Sequence, residues 1–201
     1  MIGLRRRMMI TSTDIYDYIE FAEIGGIFDT GYMPNDSTSI EIEFLCYKID
    51  GEFAVAVCEN TTAHDNRIGV WYSNGLQAGK ESTTGRTFPI SHKDYWFNYK
   101  HKVSVSNNIA TCVVLPIGHK TETKYITKFP FNPMHSLVIG GLKRLNIQKA
   151  SFLGRIYYVK IYEDGVLKHK FKPYADDKMI DIVTNTIIEN QGTAPTYARY
   201  D

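Results

Sequence analysis

From residue 38 the chain trades apolar for polar side chains one position at a time. In "TSIEIEFLCYKI" (38–49), Ile40, Ile42 and Phe44 fall on one side and Glu41 and Glu43 on the other. A period of two is that of an extended strand with one face on a core and one in water. "FAVAVC" (53–58) is a short apolar run, "IGVWYSNG" (68–75) reads as a strand entering a Ser-Asn-Gly turn, and "SLVIGG" (136–141) and "IDIVTNTIIEN" (180–190) follow as further strands. "HKVSVSNNIATCVVL" (101–115) reads as two strands around an Asn-Asn turn, and "GRIYYVKIYEDGVLKHKFKP" (154–173) as a hairpin turning at Asp164-Gly165. No helix longer than about two turns is predicted.

Segments 59–67, 79–94, 116–124 and 142–150 are polar and read as loops. Short strands at this spacing predict a two-sheet sandwich or jelly roll. The 14 tyrosines and 10 phenylalanines suit one, and 201 residues suffice for one domain with a sizeable core. Asp29-Thr30-Gly31 is predicted to turn with Gly31 at positive φ, and Pro34, Asn35, Asp36 and Ser37 to turn again before the strand.

Charge restricts the partners. Lys and Arg number 23 against 22 Asp and Glu, so no nucleic acid is expected. No apolar run approaches 18 residues, so no membrane span is expected, and "MMI" is too short for a secretory core. Cys46, Cys58 and Cys112 sit in apolar strand-like runs and are expected to be buried free thiols of a reducing compartment. No CxxC or HxxxH spacing supports zinc, and the six histidines (64, 92, 101, 119, 135, 169) are scattered. No serine or cysteine sits in a nucleophile elbow, and "IGG" is no phosphate loop.

The stretch "YIEFAEIGGIFDTGYMPNDSTSIEIEF" (18–44) resembles a pattern of concanavalin A-like jelly-roll proteins of phages and gut bacteria. Tyr18, Ile19 and Glu20 begin the match, Phe28 to Tyr32 and Pro34 continue it, and Thr38, Ile40, Glu41 and Phe44 complete it. "LVIGG" with "FLGRIYYVKIYEDGVLKHKFKP" resembles a laminin-G-like ending, and Asp181, Asn185, Asn190 and Gly192 stand where its closing segment has them. The resemblance implies an all-β, concanavalin A-like jelly-roll sandwich of two antiparallel sheets over residues 14–201, with 1–13 as an N-terminal arm. One such fold hosts many functions.

Glucanases of this superfamily carry Glu-x-Asp-x-x-Glu on one strand, so that two carboxylates flank the sugar bond. The matching positions here are Glu41, Glu43 and Cys46, and Cys46 removes the third carboxylate. No catalytic residue is therefore assigned, and Glu41 and Glu43 are expected to face solvent. No metal or cofactor is assigned either; calcium, found in laminin-G-like relatives, has only "ENTTAHDN" (59–66) as a candidate loop.

Trp71, Tyr72, Tyr95, Trp96 and Tyr99 are candidates for stacking on sugar rings, against the alternative that Trp71 and Trp96 are core residues. Lys168, Lys170 and Lys172 alternate on one strand face, expected to be solvated or edge-protecting. In the arm, Arg5, Arg6, Arg7, Met8 and Met9 offer forked hydrogen bonds and adaptable apolar contact for docking on another protein, against a frayed terminus. This leader resembles those of structural proteins of phages infecting gut bacteria, and the resemblance implies docking. The leading expectation is thus a non-enzymatic virion protein, assembled in the bacterial host cytoplasm as a head decoration, head fibre or tail component. Its partners would be capsid or tail proteins, with a homo-oligomer allowed. The alternative is a lectin-like module for host-surface glycans.

Overall fold

The structure, a computed structural model, describes residues 15–22, 25–47, 53–58, 67–72, 76–82, 85–92, 97–106, 109–115, 119–124, 134–144, 147–150, 152–174, 177–192 and 196–198. The strands among them, in chain order, are β1 (Tyr18–Phe21), β2 (Phe28–Asp29), β3 (Thr38–Cys46), β4 (Phe53–Cys58), β5 (Arg67–Tyr72) and β6 (Leu76–Ser82). Then come β7 (Gly85–His92), β8 (Lys100–Val105), β9 (Ile109–Leu115), β10 (His119–Lys124), β11 (Val138–Ile139) and β12 (Gly141–Arg144). The last are β13 (Ile147–Ala150), β14 (Gly154–Glu163), β15 (Val166–Tyr174), β16 (Lys178–Asp181), β17 (Thr186–Glu189) and β18 (Thr196–Ala198).

The larger sheet runs β10-β9-β8-β3-β14-β15-β16-β17, with β1 joined to β14 and β18. The smaller runs β2-β11-β4-β5-β6-β7, and β12 and β13 form a separate pair. Every ladder between these strands is antiparallel. Alternation places the core: β3 buries Thr38, Ile40, Ile42, Phe44 and Cys46 while its intervening residues are partly exposed. Ile40, Ile42, Phe44 and Cys46 share one cluster with Val103 and Cys112 of the larger sheet and with Val55, Ile68, Val70 and Ile139 of the smaller. Edge-on rings link the layers, with Phe21 of β1 6.3 Å from Phe28 of β2 and 5.5 Å from Phe152.

The expected turns form for local reasons. Gly31 has φ 68°, and its N–H donates to Asp29 Oδ1 at 3.0 Å. Asn35 Oδ1 accepts the Ser37 N–H at 2.9 Å. Asp164 and Gly165, at φ 49° and 78°, turn β14 into β15. Asn190 ties the closing segment to the first half of the chain, accepting the Ile27 N–H at 2.9 Å.

Three expectations need correction. The segments read as loops contain β7, β10, β13 and most of β6 and β12, which lack apolar alternation and are ordered by backbone bonds to their neighbours. β7 and β10 end their sheets' strand order, where an apolar stripe would invite aggregation. Residues 180–190 are not one strand, because 182–185 turn β16 into β17 with Asn185 at φ 62°. Lys168 does not continue the register of Lys170 and Lys172: the ladder shifts between Ile161 and Tyr162, and its ammonium lies 4.0 Å from Glu163. Cys46 and Cys112 are buried free thiols as expected; the side chain of Cys58 lies outside the described residues, as do the arm and the 59–66 loop.

Candidate functional site

The candidate aromatic platform does not assemble among the described residues. Trp71 follows Ile68 and Val70, both in the inter-sheet cluster, so alternation turns it to the other face of β5. Even there it is only 4% exposed, and its ring is not offered to a sugar. Tyr95, Trp96 and the Tyr72 side chain lie outside the described residues. Tyr99 is exposed, at 42%, just before β8. Arg5, Arg6, Arg7, Met8 and Met9 also lie outside the described residues. No group of three or more His, Cys, Asp or Glu arranged to hold a metal occurs among those described.

What the fold brings together instead is the outer face of the larger sheet. Because β3 buries its even-numbered residues, Glu41 and Glu43 point away from the core. Glu43 stands opposite Lys102 of β8 and Tyr158 of β14, and Glu41 opposite Ser104 and Lys160. Glu41 is the hub. Its Oε1 accepts from Lys160 Nζ at 2.7 Å and from the Tyr158 hydroxyl at 3.0 Å, while Lys102 Nζ lies 3.3 Å from Oε2. Burial alone would raise the Glu41 carboxyl, but the bonds from Lys160 and Tyr158 and the charges of Lys160 and Lys102 hold it below the usual carboxylate range. The Tyr158 phenol is pushed up by burial and by the two glutamates beside it, so it stays a hydrogen-bond donor.

A β-bulge enriches this face. The β3–β14 ladder slips between Ile156 and Tyr158, so two residues of β14 oppose one of β3. Tyr157 joins the outer face beside Tyr158: its ring is 5.7 Å from Tyr18, and Lys100 Nζ lies 3.8 Å over it. Arg155 sits 4.3 Å over the Tyr18 ring and pairs with Glu20 at 3.8 Å. The sequence held a signal for this, since core-facing Ile156 and Val159 are three apart and Val159 and Ile161 two apart.

The Glu41, Glu43 and Cys46 positions therefore do not line one cleft. Both glutamates face outward, and Cys46 is buried in the inter-sheet cluster, where burial pushes its thiol pKa up. The expectation of two outward-facing acids on an amphipathic strand holds, with the addition that both are engaged by lysines.

A second polar cluster lies at one end of the sandwich. Asp181, 1% exposed, accepts from the backbone N–H groups of Lys170 (2.8 Å) and Val183 (3.1 Å) and from the Thr184 hydroxyl, and contacts His169 Nδ1 at 2.7 Å. Burial would raise the Asp181 carboxyl, but these bonds together lower it. The His169 ring lies 5.1 Å from that of Tyr32, whose hydroxyl donates to Glu163 at 2.8 Å. The Thr184 hydroxyl points at the carboxylate and not at the imidazole. This geometry pins three turns together and supplies no nucleophile to the histidine.

No family model and no curated protein matches the sequence. Among solved structures, the chain is similar to a protein of Bacteroides ovatus provisionally described as carbohydrate binding (TM-score 0.61, 11% identity, 93% of this chain and 61% of that one). It is also similar to domains LG4-5 of the mouse laminin α1 chain (TM-score 0.50, 12% identity, 79% of this chain and 46% of that one). A third neighbour is CBM40 of the Ruminococcus gnavus IT-sialidase (TM-score 0.48, 15% identity, 73% of this chain and 89% of that one). The chain thus spans less than two thirds of the first two, and the likeness establishes the fold: a laminin-G-type jelly-roll sandwich, as the resemblance implied.

Proposed function

We propose that this chain is a non-catalytic carbohydrate-binding module whose ligand lies on the outer face of the larger sheet. The observation that carries the reading is the Glu41–Lys160–Tyr158–Lys102 network, a half-buried set of fixed acceptors and donors on an otherwise open strand face. Sugar hydroxyls are bound by such preoriented charged partners. The description of the Bacteroides ovatus neighbour supports the same class of ligand. The virion role expected from the leader gains no support from these neighbours and is displaced as the first reading.

The test is an array of neutral and acidic glycans probed with the chain and with its Glu41→Gln and Tyr158→Phe variants. At least one glycan is expected to be retained, and each substitution should weaken it by about tenfold or more, the range of a lost charged hydrogen bond. Retention of no glycan by the folded chain ends this reading.

A further inference from the structure

The outer face is not electrically balanced, and the surplus is concentrated in one place. On β1, β3, β8, β14 and β15 it carries Lys100, Lys102, Arg155, Lys160, Lys170 and Lys172 against Glu20, Glu41 and Glu43. Each carboxylate is already engaged: Glu20 by Arg155, Glu43 by Lys100, and Glu41 by Lys102 and Lys160. Among the described residues no carboxylate is within ion-pair distance of Lys170 or Lys172. Lys170 also stands directly across the ladder from Lys160. Like charges so placed repel, and burial together with Lys172 and Lys160 makes the Lys170 ammonium easier to deprotonate than usual.

Cross-strand partners have Cβ atoms about 5 Å apart, and residues two apart on a strand are about 7 Å apart. Three ammonium groups on that spacing can close on a single oxyanion. Glu41 and Glu43 beside them can accept from neutral hydroxyls. One acid group among hydroxyls is the chemistry of an acidic sugar.

We propose that Lys160, Lys170 and Lys172 form the subsite for the carboxylate or sulfate of an acidic sugar residue, with Glu41, Glu43 and Tyr158 meeting its hydroxyls. This rests on the carbohydrate reading above and names the ligand class for the same face. The test is calorimetric titration of the full chain at 0.15 M salt with polygalacturonate, dextran sulfate, uncharged dextran and double-stranded DNA. The same titrations use a Lys170→Gln/Lys172→Gln variant, whose melting curve reports that it is folded, and Lys170→Arg/Lys172→Arg, which keeps the charge.

One acidic polymer is expected to bind at least about tenfold more tightly than dextran, and the Gln variant to lose about tenfold or more while the Arg variant keeps most of the affinity. Whether polygalacturonate or dextran sulfate is preferred assigns carboxylate or sulfate. DNA binding as tightly, through the same lysines, would overturn the proposal in favour of a general polyanion surface. If neither acidic polymer binds, or the Gln variant binds unchanged, the proposal falls. Retention of a neutral glycan on the array would then leave the carbohydrate reading standing, and retention of none would remove both.

Discussion

His101 sits on the inward side of β8, fully buried, its ring 5.2 Å from that of Phe44 and 19° from coplanar. Burial lowers its pKa from 6.5 to about 4, more than the backbone groups of Tyr99 and Phe44 raise it. Between those values the unfolded chain binds a proton that the folded chain refuses, so stability rises with pH across that window. It is fully present above pH 6.5 and declines as pH falls toward 4, by about 3 kcal/mol in all. Glu41 and Asp181, both held low, act in a lower window: their contributions are present above the unfolded carboxylate range near pH 4 and are lost below it. Urea unfolding at pH 7 and pH 4.5 should show the parent losing about 2–3 kcal/mol more than His101→Phe. Equal losses would mean that His101 is protonated at no cost in the fold.

At the scale of the strand, β14 is the element on which most of the fold depends, since β1, β3 and β15 all pair with it. Its entry is tight. Gly154 has φ 140°, and a Cβ there would stand 2.1 Å from the Leu45 carbonyl oxygen of β3. Backbone cannot swing aside as a side chain can, so Gly154→Ala should cost about 2–4 kcal/mol, combining strain and overpacking. Gly31 provides the contrast: its φ is 68°, but nothing lies within 4 Å of a Cβ. Gly31→Ala should cost only about 1–2 kcal/mol of backbone strain. Chemical denaturation of the two variants checks the difference, and equal costs would mean that β14 moves away from β3 without penalty.

At the scale of the whole molecule, Cys46 of β3 and Cys112 of β9 face the same inter-sheet cluster. Burial pushes both thiols up, Cys112 to about 12, so little thiolate exists at pH 8 and none of it is exposed. A thiol reagent should leave both unmodified in the native protein and label them together, at one rate, as denaturant is raised. Peptide mass spectrometry reads each site separately. Labelling of Cys112 well before Cys46 would show that the β8–β9 end opens on its own.

The period of β3, the Asp164-Gly165 hairpin and the Asp29-Thr30-Gly31 turn were legible in the sequence because each depends on residues within a few positions of one another. The strands of the polar segments were not, because β6, β7 and β10 owe their conformation to backbone partners and carry no apolar stripe. Trp71 read in the sequence as a core residue more than as part of a platform, and its covering within the fold decided that its ring is hidden. Glu41 could be read as outward-facing from its neighbours, but not as the partner of Lys102 and Lys160. The sequence by itself determined the kind of strand and where it turns. Which strands lie side by side was decided by burial of the shared core, which aligns chain segments far apart in sequence, and the candidate site lies across that alignment.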